Sequence, residues 1–461
     1  MSATSGFSNW YADNVPPGAL YAGGSNAGAI KLECTSDVTV ASDGYTLTRA
    51  TGWAGAEAGD VVCIDVTGSP EWRRIASITN NVASLIVATS AGLYDATDVT
   101  CKVGGANSSI NKLALIVSNA ENLNAAGLPH KVWIKGGTSY TAATGEAGGT
   151  GIVDIITNAG TAALPISWEG YTTTEGDGDD DCVVVDTTGD GPAYHGVYVN
   201  VAYHYFRFMR AASDTNAKSA WRAHTGGLNC LFEDISATAT GNATSYGFYV
   251  YGSATVARLR VTAPDSYGVY CGYTGNAVIQ SIIDTCGVGG VYSAWSLNGF
   301  MENRISNITG NGLTINNPNS GGMFDGNTFY NVSGDAIASA ATTLPLVFTN
   351  NIFEKITGEC VDMAGNCAIA FTNNACYDCG ADDATYFDAN VVNGDALLAD
   401  ATNKFSAGTL MVSPATGDFT PAGDALLNGY PANRDIGALQ HTDAGAGLTL
   451  VNCRRNTLIG R

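Results

Sequence analysis

Positive charge is scarce in this chain, and that scarcity removes a first class of functions. Only 21 of 461 residues are Lys or Arg, against 42 Asp or Glu, for a formal charge of −21. No basic stripe offsets this balance, so phosphate backbones and anionic membrane surfaces are repelled, and nucleic acid is not an expected partner. Long apolar runs are lacking as well. None approaches the roughly 18 residues that span a bilayer, so no membrane insertion is expected. The first twenty residues hold no basic stretch followed by an apolar one, so the chain reads as made in a host cytoplasm without a signal peptide. Charged residues of either sign reach only 14%, against roughly 25% in average domains, which leaves little material for charge-laced surface helices.

Several chemical signatures are missing too. The five histidines, His130, His195, His204, His224 and His441, show no ligand spacing on one helix or strand, and no nucleophile motif accompanies them. The twelve cysteines read as small buried hydrophobes, because the cytosol keeps thiols reduced. Cys376 and Cys379 alone have a metal-like spacing, and core packing is the simpler reading of that pair.

What the chain does have is glycine, 57 residues of it, and a repeat. Strand openings recur as GVYV at Gly196, GFYV at Gly247, GVYC at Gly268, GVYS at Gly290 and GLTI at Gly312, with weaker starts at Ala220, Ala336 and Cys360. Successive intervals are 24, 27, 21, 22, 22, 24 and 24 residues. Helical solenoids need amphipathic runs of about ten residues per repeat and leucine-rich repeats need fixed leucines; neither occurs. A parallel coil remains. Val269, Val291, Leu313, Ile337 and Val361 take the first inward position, and Cys271, Ser293, Ile315, Ser339 and Met363 the next.

A second landmark follows each opening. Gln280, Asn303, Asn327, Asn351 and Asn374 each stand two residues before Ile282, Ile305, Phe329, Phe353 or Cys376. Residues one period apart stack at about 4.8 Å in such a coil, so the amides are expected to form a ladder. Counting four residues further places Asp284, Asn307, Asn331, Lys355 and Asp378 in one column.

The expected fold class is therefore all-β: a right-handed parallel β-helix with a small N-terminal β-barrel or sandwich and a short capping helix. Residues 1–106, with strand-like GDVVCIDV, EWRRIASI and NVASLIVA, form the N-terminal module, read as an attachment or cap. Residues 107–415 form the coil, with the capping helix at 109–126 and regular rungs from about 129; residues 416–461 form a C-terminal cap and tail.

The closing segment DFTPAGDALLNGYP, followed by RDIGALQ, resembles that of many β-helix proteins of the polysaccharide-lyase-like superfamily. With the rung pattern, it covers about two thirds of the chain. The whole resembles phage tailspike, head-fibre or decoration proteins. Such a coil serves lyases, glycosidases, adhesins and tailspikes alike, so activity rests on a site.

Carboxylates one rung apart would stand about 5 Å from each other, within glycosidase range. Glu302 and Asp325 are the nearest approach to such a pair, on neighbouring rungs but one position out of register. The superfamily's basic lyase cluster has no clear counterpart. No cofactor is expected, with calcium the one candidate: Asp177, Asp179 and Asp181 offer hard oxygen ligands on a glycine-containing loop. The outward column of the opening strands carries Tyr198, Arg222, Tyr249, Tyr270 and Tyr292, with His224 and Tyr251 two residues further along. Exposed aromatics of this kind stack on sugars or form subunit interfaces.

The reading favoured is a structural protein on a phage virion surface, a homotrimer in contact with other virion proteins or a host-surface glycan. A polysaccharide-degrading tailspike, lyase or glycosidase is the alternative, and an adhesin the third. Catalysis is not required by the first.

Overall fold

The computed structural model describes residues 8–12 and 30–422 with interruptions, the longest being 105–129, 142–149, 173–182 and 188–193. The helix expected at 109–126, the calcium candidates Asp177, Asp179 and Asp181, and most of 416–461 lie outside the described residues. The chain divides into two compact units, residues 1–238 and 239–461.

The first unit contains the expected small β module, and it is a closed barrel. Strands Ile30–Val40, Thr46–Arg49, Val82–Leu85, Glu71–Thr79, Val61–Asp65 and Val99–Gly104 pair in that spatial order, every pair antiparallel, and the last returns to the first. Alternation aims Val38, Val40, Leu47, Val62, Ile64, Ile75, Val99 and Val103 into one core. Closure removes the free edges that six short strands would otherwise expose.

Parallel coil follows in the same unit. Opening strands Gly151–Ile155, His195–Val199 and Ser219–Ala223 pair in parallel, as do His130–Lys135, Ile166–Tyr171 and the start of His204–Ser213. Large rings fill the core here: Trp168 stacks on Phe206 at 6.1 Å, and Phe206 on Phe232 at 5.1 Å.

The second unit is the regular part. Its opening strands, Tyr246–Val250, Tyr267–Cys271, Gly289–Ser293, Asn311–Ile315, Ile337–Ser339 and Val361–Met363, pair in parallel one after another. Middle strands run from Ala254–Ala257 to Ala370–Thr372, and closing strands from Arg260–Ala263 to Lys404–Phe405, in the same succession. The inward positions expected from the repeat are all buried. Gly247, Gly268, Gly290 and Gly312 stand in register. A Cβ on Gly268 would sit 2.8 Å from Ile283 and one on Gly312 2.8 Å from Phe329, so glycine lets the closing-strand side chains pack against the opening backbone.

Most described coils turn at two left-handed corners five residues apart, and one turns at Arg258 alone. The pairs are Tyr203 and Phe208, and Asn229 and Asp234, in the first unit; in the second they are Gln280 and Thr285, Glu302 and Asn307, Gly326 and Asn331, Asn350 and Lys355, and Asn373 and Asp378. Glycine and asparagine tolerate this region best, which is why they recur there.

The corners correct two columns by one residue. Ile282 pairs with Arg304 and Ile283 with Ile305, so Ser281, not Gln280, heads the amide ladder. Ser281 N–H donates to Asn303 Oδ1, Asn303 Nδ2 to Asn327 Oδ1 at 3.1 Å, Asn327 Nδ2 to Asn351 Oδ1 at 3.0 Å and Asn351 Nδ2 to Asn374 Oδ1 at 2.9 Å. Asn403 ends the ladder by accepting from Asn374 N–H. The same slip takes Asp284 out of the column with Asn307. Asp284 pairs with Ser306 and so heads the column that continues through Tyr330, Glu354 and Tyr377, and Thr285 takes the left-handed position.

Candidate functional site

In the second unit the outward side chains of the opening strands converge on one wall. Tyr249, Tyr270 and Tyr292 stack at 4.8 and 5.0 Å with their planes 10° and 13° apart. Strand register imposes that spacing, because side chains on paired parallel strands repeat at the strand separation. Tyr251 stacks beside Tyr249 at 6.2 Å.

Four further rings widen the wall: Tyr246 and Tyr267 on one side of the central column, and Tyr273 and Trp295 on the other. Tyr246 lies 4.8 Å from Tyr270, Tyr267 lies 5.4 Å from Tyr292, and Tyr251, Tyr273 and Trp295 follow each other at 6.0 and 6.5 Å. The sequence signal for these four was present: Tyr246 and Tyr267 each precede a rung glycine, and Tyr251, Tyr273 and Trp295 recur at 22-residue intervals.

The wall is electrically neutral. Burial, then the neighbouring phenols, pushes Tyr270 up to about 12, and burial raises Tyr267 as well. The central rings spend their faces on one another.

Tyr198, Arg222 and His224 form a cluster of their own in the first unit. Tyr198 pairs with Arg222 across the strands and is only 8% exposed. Its ring lies 5.6 Å from His224 and 6.0 Å from the buried His195. Ser219 N–H donates to His195 Nδ1 at 2.8 Å, and Arg222 stands 2.9 Å from Nε2. Burial first, then the Arg222 charge, depresses His195 to about 3, so the ring is neutral.

Glu302 and Asp325 are each tied to neighbours. Glu302 follows Met301, which pairs with Asp325, so the two acids are out of register as expected. Glu302 Oε2 accepts from Gln280 at 2.8 Å, while Asp325 Oδ1 accepts from Thr349 at 2.9 Å and Asn350 at 2.8 Å.

An acidic cluster that sequence reasoning missed lies at the starts of the opening strands Ile337–Ser339 and Val361–Met363. Asp335 and Glu359 continue the column of Asn311: Asp335 N–H donates to Asn311 Oδ1 and Glu359 N–H to Asp335 Oδ1, both at 3.0 Å. Asp362 continues the column of Tyr292 and Thr314 through Ala338. Burial, with Asp335 hydrogen-bonded beside it, raises Glu359 to about 7. Burial, then Asp335 and Asp388, raises Asp362 to about 6. Asp335 and Glu359 stand 24 residues apart just ahead of the opening strands, away from the amide landmark of each rung. Cys376 and Cys379 are buried free thiols beside Cys360, and no group of three or more metal-ligating side chains is poised for an ion among the described residues.

The family described as right handed beta helix region matches residues 228–385. The coil is a right-handed parallel β-helix. Solved structures to which the β-helix chain is similar include pectate lyase Pel9A, at 14% identity and a TM-score of 0.42, covering 68% of this chain and 88% of that one. The tailspike of Pseudomonas phage LKA1 aligns at 11% identity and 0.20, over 76% of this chain and 54% of that one. The tailspike of Acinetobacter baumannii bacteriophage AP22, solved with a capsular saccharide, aligns at 8% and 0.22, over 77% and 62%. The chain thus spans roughly half to three fifths of those tailspikes. No curated protein matches it.

Proposed function

We propose that this β-helix protein is a structural surface component of a phage virion, assembled as a homotrimer, and that its aromatic wall is covered by a second copy of the chain. The wall carries the reading. Eight neutral rings in register, on a chain of charge −21, form a surface where two copies meet without like-charge repulsion. The ring faces are already stacked on each other, which suits edge contact with a protein surface better than face contact with a sugar. Burying the remaining exposed part of each ring contributes on the order of 1 kcal/mol. The barrel of the first unit serves as the attachment module.

The test is the triple change of Tyr249, Tyr270 and Tyr292 to Ser. Sedimentation is expected to show a lower oligomer mass with the coil still folded. An unchanged mass together with lost binding to host cells would make the wall a receptor platform for host glycan instead.

A second reading, polysaccharide cleavage, is favoured by the placing of Glu359 beside Asp335 just ahead of the opening strands, where burial and the neighbouring carboxyl push Glu359 up to about 7. A carboxyl of that kind suits general acid work. Reducing-end release from host polysaccharide that disappears on Glu359→Gln would put this reading first; the structural reading predicts no release by either protein.

A further inference from the structure

The barrel of the first unit closes where Ile30–Val40 meets Val99–Gly104, and this seam is its least regular pairing. Its register shifts twice, between Ile30 and Leu32 and between Cys34 and Val38, with Ser36 in the left-handed region at φ 52°. Between the two irregularities Cys34 stands directly opposite Cys101. Both side chains are buried in the barrel core, and their thiols hydrogen-bond to each other. Directly opposed residues of an antiparallel pair have Cα atoms about 4.5–5.5 Å apart, inside the range a disulfide spans. The third described cysteine of the barrel, Cys63, pairs with Lys102 and Trp72 instead.

We propose that Cys34 and Cys101 are a latent disulfide site, a staple for the barrel seam that closes when the protein meets an oxidising small-molecule disulfide. The Cys34 thiolate attacks one sulfur of that disulfide, forming a mixed disulfide and expelling one small thiolate. Cys101, deprotonated, then attacks the Cys34 sulfur and expels the second. Two protein thiols have lost two electrons and two protons, and the small disulfide has become two thiols. The Arg49 guanidinium near this pair favours a thiolate on Cys34, and the two facing thiols are equivalent in the overall exchange, so attack beginning from Cys101 gives the same product. Exchange waits on opening of the bulged seam, since neither thiol is exposed.

The bond would close a loop from residue 34 to 101, and a loop of that length restricts the unfolded chain strongly. The full-length protein, purified reduced, is incubated in mixtures of oxidised and reduced glutathione, quenched, alkylated after denaturation and mapped by mass spectrometry. The expected result is a Cys34–Cys101 linked peptide, with the barrel's unfolding midpoint at least about 5 °C above that of the same sample under reductant. Cys34→Ser is expected to abolish both. The wild-type comparison alone decides the matter should that variant fail to fold. Both thiols alkylated at every glutathione ratio, a linkage to any other cysteine, or a linkage without a rise in midpoint would each overturn the staple.

Discussion

In the first unit the residues just past the first left-handed corner are His204 and Cys230; in the second they are Leu259, then Ser281, Asn303, Asn327, Asn351 and Asn374. The paired corners keep the same five-residue separation in both. Turning the chain therefore does not require the amide ladder. His204 is held by Trp168 Nε1–H donating to its Nδ1 at 3.0 Å, and Cys230 Sγ donates to the Val201 carbonyl at 3.3 Å. In the second unit each buried asparagine also donates back to the preceding middle strand, as Asn327 does to the Phe300 carbonyl at 2.9 Å. The first unit fills the position by bulk and isolated contacts, the second by a continuous hydrogen-bonded column.

That difference predicts unequal costs at equivalent corners. Asn327→Ala takes the Oδ1 acceptor from the buried Asn303 N–H and Nδ2 and the Nδ2 donor from Asn351 and the Phe300 carbonyl, and is expected to destabilise the second unit by about 3 kcal/mol. Cys230→Ala, at the same corner in the first unit, is expected to cost about 1 kcal/mol. Denaturant unfolding of the two variants checks this, and equal losses would break the contrast.

The units should also respond to pH in opposite directions, by smaller amounts. His195 is depressed to about 3 in the folded first unit, so the unfolded chain binds more protons below about 6.5. Stability there falls as pH falls, by roughly 2 kcal/mol at pH 5. Glu359 and Asp362, raised to about 7 and about 6, bind more protons folded than unfolded above the ordinary carboxylate range. Their contribution is present at pH 4 and is lost as pH rises through 6 and 7. Hydrogen exchange, corrected for its intrinsic pH dependence, should loosen strand His195–Val199 at pH 5 and strand Val361–Met363 at pH 8.

The coil was legible because its signals repeat. Gly247 to Gly312 and the inward Val269, Val291 and Leu313 are dictated by strand register, and each rung restates them. The corners were less legible. Left-handed residues include Tyr203, Phe208, Thr285 and Lys355, side chains that tertiary packing forces into a region they do not favour, so no residue type marks the position. That is why Gln280 and Asp284 were placed one residue off. The wall was half legible, through Tyr249, Tyr251, Tyr270 and Tyr292. Glu359 and Asp335 were missed because their character comes from burial and mutual proximity, which the residue types do not reveal.

Cover of the aromatic wall by another chain can be tested directly, because the two units supply a matched pair of probes. Tyr45 in the barrel and Tyr273 in the wall are each 48% exposed within a single chain. Nitration of the purified native assembly, quantified by mass spectrometry at each position, compares them directly. The account predicts that Tyr45 is modified readily and Tyr273 several-fold more slowly, with the difference erased when the assembly is dissociated. Equal modification of Tyr45 and Tyr273 in the intact assembly would contradict it.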